Sequence, residues 1–173
     1  MIMVAHAIHS PCAQLIEIRK KPEIQAFLDM ISFSEGTYTS DGYHTVYGVH
    51  ERLKDLKTHP DKVIRELSHG KQLSSSAAGR YQFLYKTWEE LVEKYHFKNF
   101  GPFNQDLAAI ALLHNINAIS DIENKDIPAA ISKASTLWAS FPGSPYGQPT
   151  KSLEVLLHVW GERYAYYNSG VKL

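Results

Sequence analysis

The sequence predicts an α+β fold, a mostly helical lobe beside a small strand region, and three observations carry that reading. Apolar residues recur at helical spacing in separate stretches, first at Ile24, Phe27, Leu28 and Ile31 and later at Trp88, Leu91 and Tyr95. Between these stripes, residues 37–50 are polar, aromatic and β-branched, a composition suited to short strands. A length of 173 residues at 44% hydrophobic content is enough for one domain with a substantial core.

In chain order, residues 1–21 read as an N-terminal arm divided by a turn at Pro11, and residues 22–173 as the main domain. The first strong helix starts at Pro22, a residue suited to a first helical turn, and Gly36 is placed to stop it. The strand segment follows, with a turn at Ser40-Asp41-Gly42. Residues 51–79 read as charged and partly helical, with turn signals at His59-Pro60 and His69-Gly70. Helices fill the remainder. Tyr81, Leu84, Trp88, Leu91 and Tyr95 form one stripe; Asn104 is a candidate cap for Leu107, Ile110, Ala111 and Ile116. Another helix runs from Asp126 through Ile131 to Trp138, and the last carries Leu153, Leu156, Leu157, Trp160 and Tyr164. Core packing explains all these stripes.

Charge and motif content exclude several functions. Eighteen basic residues balance eighteen acidic ones, unlike a protein that coats nucleic acid or a polybasic membrane surface. The single cysteine, Cys12, supports no internal disulfide, and as a lone thiol in the arm it reads as a bystander. Nine histidines include no HExxH pair, and His6 and His9 lack a third ligand, so no metal site is expected. Glycine loops for phosphate are absent. No stretch is long enough to span a membrane, and the apolar start lacks the charged region of an export signal, so the chain is expected to be cytoplasmic when made.

Three segments carry chemistry instead. Ser34-Glu35-Gly36-Thr37 ends the first helix where the aromatic segment begins. Partial negative charge on the terminal carbonyls, together with burial against Phe33 or Tyr38, would raise the Glu35 pKa, as a general acid near neutrality requires. An exposed glutamate that tolerates a helix end is the plainer explanation. Ser75-Ser76-Ala77-Ala78-Gly79-Arg80-Tyr81-Gln82 places small residues and a tight turn before a helix, with Gln82 offering donor and acceptor to an extended ligand. Trp138-Ala139-Ser140-Phe141-Pro142-Gly143 and Tyr146-Gly147-Gln148 form a rigid aromatic loop that suits carbohydrate, and protein partners almost as well.

With these segments in order, joined by Ala26-Phe27-Leu28-Asp29-Met30, Gly42-Tyr43, His59-Pro60, Trp88 and Gln105-Asp106, the chain resembles the lambda-type phage endolysins over residues 22–148. The arm and the last twenty or so residues match poorly. The resemblance implies a lysozyme-like α+β fold whose helical lobe and small β region flank a substrate cleft. It also implies a lytic transglycosylase that cuts peptidoglycan between N-acetylmuramic acid and N-acetylglucosamine and closes a 1,6-anhydro ring. Glu35 takes the family's catalytic position. Tyr43, His44, Gly79, Tyr81, Gln82, Gln105, Trp138, Tyr146 and Gln148 are the implied substrate-binding residues.

No metal or cofactor is implied. The implied partner is the peptidoglycan glycan strand, met by a monomer without nucleic acid or membrane insertion, in the wall after release from the host cytoplasm. The motifs offer no obvious second acid: Asp29 lies on the helix well before Glu35, and Asp41 sits in a turn. Hydrolysis usually requires a second carboxylate, whereas an intramolecular C6 hydroxyl does not. A hydrolysing muramidase and a non-catalytic carbohydrate-binding module remain the alternatives. One departure is His44, where the family's type member has an aspartate after Gly-Tyr; a histidine can hydrogen-bond sugar but offers no carboxylate.

Overall fold

The computed structural model describes residues 10–47, 52–68 and 71–170. At its centre lies α2 (Pro22–Ser34), in which Phe27, Met30 and Ile31 are fully buried and even Asp29, Ser32 and Ser34 are enclosed. A helix apolar around most of its surface must be covered on all sides. Helix α7 (Leu153–Asn168) packs along α2, and α5 (Ile119–Glu123) and α1 (Pro11–Arg19) touch it elsewhere. The second buried helix, α4 (Pro102–Asn115), encloses every residue from Gln105 to Ala111. Helices α3 (Tyr85–Tyr95) and α6 (Ile127–Ala134) complete the lobe. Beside it, β1 (Ile64–Ser68) and β2 (Lys71–Ser75) pair antiparallel, in register from Ile64 opposite Ser75 to Ser68 opposite Lys71. The α+β class follows.

Several elements depart from the sequence reading. Pro11 opens α1 instead of dividing an arm: the Ser10 hydroxyl accepts from the Ala13 N–H, and Leu15 and Ile18 reach the core. Residues 42–44 form a 3₁₀ turn, and among the described residues that region pairs through the bridges Thr45–Arg52 and Val46–Ala78. The strands lie instead at 64–68 and 71–75, in the stretch read as partly helical, because strand pairing overrides the helix preference that Lys, Arg and Glu give it. The His69-Gly70 turn lies outside the described residues. Helix α3 begins at Tyr85, not Tyr81, since Ala78 and Phe83 exchange two backbone hydrogen bonds around a tight turn first.

Gly101, not Asn104, caps α4; the Asn104 amide donates to Asn99 instead. The helix expected from Asp126 begins there, with Asp126 as its cap, but it stops at Ala134, short of Trp138. Helix α5 has no counterpart in the sequence reading. Leu153 is exposed at the start of α7, so only Leu156 of that stripe is fully buried. Among the described residues no helix is long and apolar enough to cross a membrane.

Candidate active site

The end of α2 sets the site's geometry. Glu35 is the helix C-cap, and Gly36 follows at φ 73°, a left-handed conformation that glycine adopts without a Cβ clash. The Gly36 N–H donates to the Phe33 carbonyl and the Thr37 N–H to the Ser32 carbonyl, the paired bonds of a Schellman ending. The side chains on either side of Glu35 are each anchored to a separate loop. The Ser34 hydroxyl donates to Ser140, 2.7 Å from its Oγ, and the Thr37 hydroxyl donates to the Arg80 carbonyl. Glu35 projects between these two anchored loops.

Glu35 lines a cleft pocket of about 270 Å³ with Tyr47, Ser75, Gln82, Leu84, Leu137, Trp138, Tyr146 and Gln148 among its neighbours. Burial pushes its carboxyl above the usual carboxylate range, and hydrogen bonds from Ser140 partly oppose that rise. The Ser140 hydroxyl donates to Glu35 Oε1 at 2.5 Å. Glu35 is the one acid among the described residues of this cleft. The Trp138 indole N–H is spent on the Tyr81 carbonyl, which fixes the ring as part of the wall. Tyr146 is exposed, with its hydroxyl bonded to the Thr136 carbonyl, so its ring is held at the rim.

Of the residues singled out in the sequence, Gln82, Trp138, Tyr146 and Gln148 gather with Glu35 around this cleft. Four others support the cleft from behind. Gly79, at φ 79°, lies against the buried Gln105, whose Oε1 accepts from the Arg80 N–H and whose amide donates to the Tyr43 and Phe100 carbonyls. A Cβ on Gly79 would sit 2.3 Å from Gln105 Oε1. Tyr43 and Tyr81 both donate to the enclosed Asp106, with burial and that carboxylate raising both phenols, Tyr43 to about 12. Tyr81 is interior and Tyr43 half-buried, and neither lines this pocket. His44 uses Nδ1–H on the Leu53 carbonyl and lines no part of this pocket.

The fold and the sequence can now be set against known proteins. The family model described as Endolysin matches residues 25–166. The chain belongs to the endolysin family. It is 36% identical over 160 residues to the endolysin of Escherichia phage P2, covering 83% of this chain and 93% of that protein. Identity to the endolysin of Escherichia phage lambda is 35% over 140 residues, 78% of this chain and 85% of the relative. The bacteriophage lambda lysozyme solved with a chitohexasaccharide superposes with a TM-score of 0.77 at 34% identity, over 83% of this chain and 94% of that one. A second structure of the lambda lysozyme gives 0.67 at 31% identity, over 87% and 95%. The fold is therefore lysozyme-like, and the protein is a lysozyme-like enzyme of the endolysin family.

For an endolysin-family chain, the match extends further than the motifs alone: it runs through α7 as far as residue 166. Helix α7 has a clear structural duty, since Arg163 and Tyr167 both donate to Asp29 of α2 at 2.7 Å. Arg80 donates to the other Asp29 oxygen at 2.6 Å, so one carboxylate joins α2, α7 and the loop beneath the cleft. His59 is a strut too: its Nε2–H donates to the Phe83 carbonyl, its Nδ1 accepts from the Asp61 N–H, and burial lowers its pKa.

Tyr47, Leu84 and Leu137 escaped the sequence reading as site residues, while Ser75 and Ser140 were named only as members of their segments. Ser140 stood within the quoted aromatic loop, but nothing in the spacing shows that it faces residue 35. A larger hollow of about 460 Å³ beside α3 is lined by Asp61 and Glu89, both exposed to solvent. Among the described residues no three His, Cys, Asp or Glu side chains gather closely enough to hold a metal ion. His6 and His9 lie outside the described residues.

Proposed function

We propose that this endolysin degrades bacterial peptidoglycan as a lytic transglycosylase. It would cleave the β-1,4 bond between N-acetylmuramic acid and N-acetylglucosamine and leave a 1,6-anhydro muramoyl end. The observation that carries this reading is Glu35, half-buried with a raised pKa and the one acid among the described cleft residues. The chitohexasaccharide seen with the lambda lysozyme supports a β-1,4-linked amino-sugar chain as the ligand class.

In this reading Glu35 begins protonated. It gives its proton to the bridging oxygen as the C1–O bond breaks, so the N-acetylglucosamine side leaves as a neutral alcohol. The muramoyl C1 then carries oxocarbenium character. Its own C6 hydroxyl attacks C1, and the Glu35 carboxylate takes the hydroxyl proton, restoring the acid for the next cycle. No water is consumed. The nucleophile belongs to the same sugar, so its effective concentration replaces the second carboxylate that hydrolysing glycosidases use.

Substrate binding is assigned to Gln82, Trp138, Tyr146 and Gln148 on the cleft, with Gly79, Gln105, Tyr43 and Tyr81 holding the loop that presents Gln82. The enzyme acts as a monomer on glycan strands, made in the host cytoplasm and reaching the wall after release. Muropeptides released from purified peptidoglycan and weighed by mass spectrometry test the reaction. Products one water lighter than hydrolysed ends are expected; hydrated ends would replace the reading with a hydrolysing muramidase, and no release would leave a binding module. Glu35→Gln should reduce the rate by at least about 100-fold, as loss of a general acid does.

A further inference from the structure

We propose that Ser140, held by Ser34, is a positioning residue that fixes which oxygen of Glu35 handles the proton. The inference rests on Glu35 being the acid of the reading above. Three hydroxyl and carboxyl groups stand in line across two chain segments that are far apart in sequence. Ser34, the last residue of α2, has its Oγ 2.7 Å from Ser140 Oγ and 3.3 Å from the Ser140 carbonyl. The Oγ contact is the shorter of the two and the better use of the Ser34 proton. Ser140 Oγ in turn lies 2.5 Å from Glu35 Oε1.

The bonds run in one direction, from Ser34 to Ser140 to Glu35. A serine hydroxyl has one hydrogen to give. Ser34 donates to one of the two lone pairs of Ser140 Oγ, and the single Ser140 hydrogen goes to Glu35 Oε1. That oxygen is then an acceptor in both protonation states of the carboxyl. The catalytic proton is then confined to Oε2, the oxygen outside the relay. The same bond strengthens when Glu35 becomes a carboxylate, because hydrogen bonds to charged acceptors are the stronger ones. The relay therefore favours the ionised form just after the proton has left, opposing the effect of burial.

The surroundings leave this bond as the main polar influence on Glu35. The titratable groups that share the cleft among the described residues are Tyr47, from the turn after residues 42–44, and Tyr146, from the aromatic loop. The Lys151 ammonium sits 5.7 Å from the centre of the Phe33 ring, behind the helix end. No second charged side chain lines the pocket among the described residues.

The test reads Glu35 directly, by ¹³C NMR titration of its carboxyl carbon, assigned by loss of the signal in Glu35→Gln. Ser140→Ala should move the titration of Glu35 upward and carry the alkaline limb of the peptidoglycan-lysis profile up with it. The limiting rate should fall roughly 10-fold, the scale expected for one hydrogen bond to a charged group. Ser140→Thr, which keeps the hydroxyl, should restore most of the rate. Ser34→Ala should show a smaller upward movement that disappears in the Ser140→Ala background, because the two serines act in series.

An unmoved Glu35 titration in Ser140→Ala would overturn the proposal. So would a Ser34→Ala effect of equal size in both backgrounds. If Glu35→Gln stays active, the assignment of Glu35 as the acid fails on its own, while the titrations still report the relay.

Discussion

A carboxyl whose pKa is raised in the folded protein pulls against the fold at neutral pH. Burial is the first cause of the rise at Glu35, and the Ser140 bonds only partly oppose it. The folded state holds that proton more tightly than the unfolded chain, so the stabilising effect is complete below the unfolded pKa. It is lost as pH rises through the folded value. Glu35→Gln keeps an acceptor for Ser140 and removes the charge. It should therefore raise Tm relative to the parent at pH 7 to 8, with the gain vanishing near pH 4, as thermal unfolding across that range would read. A parent and variant with parallel Tm curves would show that Glu35 is not strained toward neutrality. An activity lost while stability rises is the pattern expected of a residue kept for chemistry.

At the scale of elements, two left-handed glycines near the site serve different ends, and their substitutions should separate. Gly36 closes α2 at φ 73°, yet nothing lies within 4 Å of a Cβ built there. Gly36→Ala meets only the backbone preference and should destabilise by about 1 kcal/mol. Gly79 has a similar φ of 79°, but its Cβ would lie 2.3 Å from Gln105 Oε1 and 2.8 Å from the Phe100 ring. Gly79→Ala must displace the buried amide that holds Arg80 and should destabilise by on the order of 3 kcal/mol. Urea unfolding of both variants checks the ratio; equal losses would mean that the Gln105 contact yields easily.

This contrast also marks what the sequence can tell. The end of α2 was legible because Pro22, the apolar spacing and Gly36 are local signals. The α+β class was legible for the same reason. The placement of the strands was not, because Ile64–Ser68 and Lys71–Ser75 take their form from pairing with each other. Among site residues, resemblance carried over motifs without side-chain directions. Gln82 and Tyr81 are neighbours in one motif, yet one lines the cleft and the other is buried against Asp106.

For the whole molecule, the balance of charge is settled indoors as well as on the surface. Asp29 is enclosed on α2 and receives Arg80, Arg163 and Tyr167. Asp106 is enclosed on α4 and receives Arg19 from α1 with Tyr43 and Tyr81. Arg80 touches both groups, since its second terminal nitrogen donates to Tyr43 and Tyr81 at 3.2 Å. The N-terminal helix, the C-terminal helix and the loop bearing Gln82 thus meet in one hydrogen-bonded cluster behind the cleft. Removing one partner from such a cluster costs more than the pair contributes, because a buried charge is left behind. Asp29→Ala strands two guanidinium groups and should lower unfolding stability by about 3–5 kcal/mol. Arg163→Ala leaves Arg80 on the same carboxylate and should lower it by only about 1–3 kcal/mol. Arg163 also stacks 4.3 Å from the centre of the Tyr166 ring, and packing is lost with it. Combined with Asp29→Ala, Arg163→Ala should then add little or even recover stability, since the second change removes a cation that the first left unpaired. Denaturant unfolding of the single and double variants measures that coupling. Simple additivity would show that α7 is held by packing on α2 and not by the shared carboxylate.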